Sequence, residues 1–202
     1  MTNQGGATVV GGVELLERAI AYAHGSLLLV TPAALDNPTP CRDWTLRELL
    51  RHMADSLIAL SDAAEVGRVD LDPTELTGEF AVDAVNVVRQ RACHLLGAWA
   101  RDERQRDIAV GDRTLASTLL TGAGALEITV HGWDVAQACG KDRPIPAALA
   151  EELIELAPRL VADDDRPERF AAPVPVSPLA RPSDQLTTYL GRSPLTSYRP
   201  LG

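Results

Sequence analysis

Aromatic residues make up only 4% of this 202-residue chain, cysteine occurs three times and lysine once, at Lys141. No run approaches the roughly 18 apolar residues that a membrane-crossing helix needs. Few aromatics leave a core of Leu, Ala, Val and Ile, and Ala and Leu favour helix. Cys41, Cys93 and Cys139 are odd in number and form no CxxC, which argues against both a disulfide framework and a thiolate zinc knuckle. Buried or free structural thiols are expected instead. The scarcity of lysine reads as coding bias and carries no chemistry. Acids outnumber bases by 28 to 19, giving a net charge of −9 spread along the chain. Nucleic acid and anionic membranes both need a basic face, so neither is an expected partner. The opening Met1-Thr2-Asn3-Gln4-Gly5-Gly6 has neither the charged nor the apolar region of a signal peptide, and a cytoplasmic protein is expected.

What is present is helical period. The length suits one domain, or one domain with an appendage. A first helix is predicted from about Val13 to Val30, with Val13, Leu16, Ile20, Ala23 and Leu27 on one stripe and Pro32 beyond its end. A second starts at Thr45, where Thr45-Leu46-Arg47-Glu48 is a capping box, and carries Leu46, Leu49, Leu50, Met53, Leu57 and Leu60 inward until Gly67. A third covers Glu79 to Arg101, and a fourth runs from Leu115 to Cys139 with Gly140 as its stop. A fifth starts with Pro146 at N1 and reaches Val161 unless Pro158 ends it early. Asp107 to Asp112 reads as a short strand and turn.

After Ala162 lie seven of the fourteen prolines, so an extended segment over the bundle is expected, with one short helix from Ser183 to Leu190 stopped by Gly191. The predicted fold is all-α, a four-helix bundle with a fifth helix, organised as 1–162 for the bundle and 163–202 for the Pro-rich segment.

Chemistry concentrates in the fourth helix. Between Thr114 and Trp133 the only ionisable groups are Glu127 and His131, spaced i,i+4 and therefore stacked on one face. A carboxylate and an imidazole inside an apolar helix require a further partner or a cation, so the pair is either a buried ion pair or two ligands of a metal site. Two His and one Glu form a standard zinc set with an open position. Of the remaining histidines, His24, His52 and His94, the best third ligand is His52, on the flank of the capped helix. Asp134 could orient a ligating imidazole, pair with an arginine or hold a loop. Trp44 and Trp133 read as core or lid aromatics.

The stretch Thr39-Pro40-Cys41-Arg42-Asp43-Trp44-Thr45-Leu46-Arg47-Glu48-Leu49-Leu50-Arg51-His52, followed by Glu127-Ile128-Thr129-Val130-His131-Gly132-Trp133-Asp134, resembles the metal-binding domain of mycothiol-dependent maleylpyruvate isomerase, within the DinB/YfiT-like superfamily. Leu186 to Pro194 is similar to the ending of an uncharacterised branch of that group. The resemblance implies a DinB-like bundle with a divalent metal, usually zinc, held by His52, Glu127 and His131. It also implies a low-molecular-weight thiol such as mycothiol as cosubstrate, activated at the metal. The isomerase has a larger C-terminal domain where this chain has a short Pro-rich segment, so the resemblance does not extend to maleylpyruvate itself.

Two functions compete. One is a metal-dependent enzyme, isomerase- or transferase-like, that activates a thiol or water toward a small electrophile. The other is a non-catalytic metal-binding bundle acting as a sensor or interaction module, with room in either case for a homodimer. A metal-free bundle with a buried Glu–His pair is the third reading.

Overall fold

In the computed structural model, the residues described are 11–41, 43–69, 79–100, 107–110, 113–166 and 170–193. Helix α1 is Gly12–Leu27, α2 is Leu46–Val66, α3 is Glu79–Ala100 and α4 is Ser117–Ala138. Contacts run from α1 to α4, α4 to α2, α2 to α3 and α3 back to α1, which closes a four-helix bundle. Helix α5, Ala147–Leu160, packs on α4, and α6, Pro182–Tyr189, packs on α5. The expected all-α bundle is thus the fold observed, with a minor sheet beside it. Its strands are β1 (Arg68–Val69), β2 (Asp107–Val110) and β3 (Arg113–Ala116). Strand β1 pairs parallel with β2, and β2 pairs antiparallel with β3, which leads directly into α4.

Helix α2 begins as its sequence requires. Glu48 N–H donates to Thr45 Oγ1 at 3.4 Å, while Thr45 N–H donates to Glu48 Oε2 at 2.7 Å, so two otherwise orphaned amide groups are satisfied reciprocally. All six residues of its expected stripe are buried. Gly67, at φ 73°, ends it in the left-handed region that a side chain disfavours.

Helix α4 is buried on nearly every side because α1, α2 and α5 all cover it. Close approach is bought with small residues: a Cβ at Gly132 would lie 2.9 Å from Ala23 Cα, and one at Gly124 would lie 2.7 Å from Leu60 Cδ1. Its C-terminus is a Schellman turn, in which Gly140 N–H donates to Gln137 O and Lys141 N–H donates to Ala136 O.

Two expectations need correction, those at Pro146 and in α3, and at Pro158 one of two alternatives is met. Pro146 is the N-cap of α5, with ψ 134°, rather than its first helical residue. Pro158 does not end that helix, which continues to Leu160; so near the C-terminus only one backbone bond is forfeited. Helix α3 is broken at Asp83 (φ −151°, ψ 72°), whose carboxylate accepts from Asn86 N–H and caps the part that follows. Its expected end at Arg101 and the turn at 111–112 lie outside the described residues. No helix among the described residues is long and apolar enough to cross a membrane.

Candidate metal centre

The capping box fixes the start of α2, and His52 follows two turns later, facing α4. There it meets Glu127: His52 Nε2 lies 2.5 Å from Glu127 Oε1. One turn along α4, His131 Nε2 lies 3.1 Å from the same oxygen. The donor atoms of His52, Glu127 and His131 all fall within 4.8 Å of one another, so the three residues singled out from sequence converge. His131 is the buried member, with its side chain 6% exposed, whereas the side chains of His52 and Glu127 are 36% and 31% exposed. The cluster is therefore closed behind His131 and open on the His52 side.

The charges balance through a proton. Burial pushes the Glu127 carboxyl up, but attraction to His131 and hydrogen bonds from both imidazoles outweigh it and hold the group well below the usual carboxylate range. Burial likewise disfavours a charged His131, yet Glu127 on one nitrogen and Asp134 on the other hold its proton well above the usual imidazole range. In the absence of a metal both nitrogens of His131 thus face a carboxylate, Nε2 towards Glu127 Oε1 at 3.1 Å and Nδ1 towards Asp134 Oδ2 at 3.0 Å.

Asp134 is fully buried and is partnered by Arg192, whose Nη2 lies 3.4 Å from Asp134 Oδ2. Burial raises the Asp134 carboxyl, and the guanidinium together with His131 more than reverses that. Arg192 also donates to Cys41 Sγ at 3.3 Å, and Cys41 stands 3.5 Å from Asp134 Oδ2 and 3.8 Å from His131 Nδ1. From the sequence, pairing with an arginine was one of three roles open to Asp134, and nothing there singled out Arg192.

Arg192 is delivered by α6. After α6, Gly191 turns at φ 76°, where a Cβ would come within 2.5 Å of Ala171 O. Gly191 N–H then donates to Thr188 O and Arg192 N–H to Thr187 O, a second Schellman turn that aims the arginine back into the protein.

The turn 39–44 supplies both Cys41 and Trp44. It is pinned by Thr39 N–H donating to Trp44 O and Trp44 N–H donating to Cys41 O, and Asp43 adopts φ 68°, a conformation Asp tolerates better than most residues. Trp44 is half-buried, with its ring centroid 4.8 Å from that of His52 and 6.4 Å from that of His131. It is an aromatic wall of the cluster, whereas Trp133 is core. His24 lies on α1 and His94 pairs with Glu65 at 3.2 Å, so neither joins the cluster.

The architecture is that of a helical bundle with a carboxylate and two imidazoles meeting between its second and fourth helices. Residues 16–136 match the family model described as "Mycothiol maleylpyruvate isomerase N-terminal domain", and the chain belongs to that family. Two curated relatives, both uncharacterised proteins of Mycobacterium tuberculosis, are 26% identical over 163 residues, covering 79% of this chain and 85% of theirs. A crystal structure of the mycothiol-dependent maleylpyruvate isomerase superposes with a TM-score of 0.53 at 18% identity, over 70% of this chain. A mutant of that enzyme gives 0.50 at 16%. This likeness establishes the fold, and the chain spans 65% of the length of those solved structures.

Proposed function

We propose that this protein is a metal-dependent, thiol-using enzyme whose divalent ion, zinc by its donor set, is held by His52, Glu127 and His131. The observation that carries the reading is the convergence of two imidazole Nε2 atoms on one carboxylate oxygen from two different helices. A set of two His and one Glu is a catalytic zinc set, and the carboxylates of Glu127 and Asp134 that face the two ring nitrogens of His131 suit a cation. When bound, the ion supplies a Lewis acid with an open position that lowers the pKa of a thiol or water.

The chain's own residues then have distinct tasks. Glu127 and the two histidines bind. Asp134 orients His131 by accepting from Nδ1, the usual outer partner of a ligating histidine. Trp44 walls the open side with an apolar face and limits the water that reaches it. The family name supports a low-molecular-weight thiol of the mycothiol kind as cosubstrate, with a small electrophile as its acceptor in an isomerase- or transferase-like reaction. The exposure of His52 and Glu127 favours this reading over the non-catalytic module, which would suit a sealed site.

Metal analysis of protein purified without chelator or affinity-resin metal should find one equivalent per chain, lost in both His52→Ala and His131→Ala. Full occupancy in both variants overturns the ligand assignment. Cobalt-substituted protein titrated with a small thiol should develop a thiolate charge-transfer band that persists in Cys41→Ser. A spectrum that ignores every thiol tried would favour the non-catalytic module.

A further inference from the structure

His131 belongs to two donor sets at once. Its Nε2 faces Glu127 and His52, and its Nδ1 faces Cys41 and Asp134, whose donor atoms also lie within 4.8 Å of one another. A thiol, an imidazole and a carboxylate are all groups that zinc accepts. An imidazole can serve two cations through its two nitrogens, so the fold contains the elements of a bridged two-metal centre.

We propose that Arg192 is the resident cation of the second set, Cys41 Sγ, His131 Nδ1 and Asp134 Oδ2, and that by filling it Arg192 restricts the site to one metal ion, taken at His131 Nε2. The inference rests on the metal reading above and deepens it. Arg192 Nη2 lies 3.3 Å from Cys41 Sγ and 3.4 Å from Asp134 Oδ2, so the guanidinium already contacts two of the three donors. It is only 8% exposed and does not give up its charge. Its backbone is fixed by the Schellman turn, and its Nη1 donates to Leu190 O at 2.9 Å, so it is not free to swing aside. A dication entering the second set would be repelled by this fixed positive charge at short range. With the guanidinium in place, Asp134 accepts from His131 Nδ1–H, which leaves Nε2 as the nitrogen that faces Glu127. Arg192 is thus a positioning residue that acts through Asp134 and His131.

Removal of the charge exposes the second set. Asp134 is fully buried and its Oδ1 has no hydrogen-bond partner among the described residues, so losing Arg192 creates a strong demand for another cation there. In chelator-stripped protein titrated with cobalt, wild type should saturate at one equivalent without a thiolate band. Arg192→Met should take two equivalents and show a thiolate-to-cobalt band, which Cys41→Ser in the same background should abolish. Arg192→Lys, which keeps the charge, should behave like wild type. One equivalent and no band in Arg192→Met overturns this inference and leaves the metal reading intact, whereas a wild type that takes up no cobalt overturns both. If Arg192→Met does not fold, nitrogen NMR of the histidines in zinc-loaded wild type decides: a proton on His131 Nδ1 with metal at Nε2 supports the inference, and metal at Nδ1 overturns it.

Discussion

Gly132 lies directly against Ala23 where α4 crosses α1, close enough that a Cβ on Gly132 would come 3.1 Å from that of Ala23. Gly132 follows His131, so this close helix contact sits beside a proposed ligand. Gly132→Ala should overpack this contact and destabilise the protein by about 1–3 kcal/mol. The same shift should weaken metal binding, since the backbone of His131 must move with it. Thermal melts with and without a chelator check this: a loss confined to the metal-loaded form would contradict the packing account.

Thr45→Ala removes the oxygen that accepts from Glu48 N–H, and the expected cost is about 0.5–2 kcal/mol. Urea unfolding of chelator-treated protein measures it. Thr45→Ser should recover most of the loss, because the hydroxyl returns.

Metal-free stability should depend on pH in opposite senses on the two sides of the cluster. The folded His131 is shifted well above 6.5, so its contribution is complete below 6.5 and is lost as pH rises through the folded value. The folded Glu127 is shifted well below 4.5, so its contribution is complete above 4.5 and is lost as pH falls through the folded value. Chelator-treated protein is therefore expected to be most stable between pH 4.5 and 6.5 and to weaken on going alkaline. Metal competes with the His131 proton, so metal affinity should rise over the same alkaline range. Melting temperatures that climb steadily from pH 6.5 to 9 without metal would contradict the assignment.

Glu127→Gln keeps the volume of the side chain but removes the charge that both imidazoles face. Without metal it should cost about 1.5–3 kcal/mol, the scale of hydrogen bonds to a charged group. It should also lower metal affinity strongly. Chelator competition measures the second effect and thermal melts the first; an unchanged metal affinity would show that Glu127 is a pairing partner alone.

Much of this fold is written in short-range signals. Thr45 and Glu48 fix α2 because a capping box satisfies its own amides, with no help from the rest of the chain. Gly140 and Gly191 stop α4 and α6 because only a glycine takes positive φ without strain. Glu127 and His131 stood out because charge is rare in so apolar a helix. Other features depend on distant partners and leave no local trace. Strand β1 is two residues that pair only because β2 passes beside them. The break at Asp83 lies in a helical pattern that period alone would continue. Arg192 is one arginine among many until the turn after α6 aims it at Asp134, for which an arginine partner was one of three readings.

Cys41 and Arg192 are 151 residues apart in sequence, and Asp134 precedes Arg192 by 58. Synthesis at about 5–20 residues per second leaves several seconds in which α2 and α4 have been made but the guanidinium has not. During that interval His131 offers both nitrogens, with Cys41 and Asp134 unguarded. On the proposed assignment, metal that arrives before Arg192 is in place meets two competing sets of donors. Metal that arrives after α6 has docked meets one. On the proposed assignment, correct loading therefore follows the completion of the turn after α6.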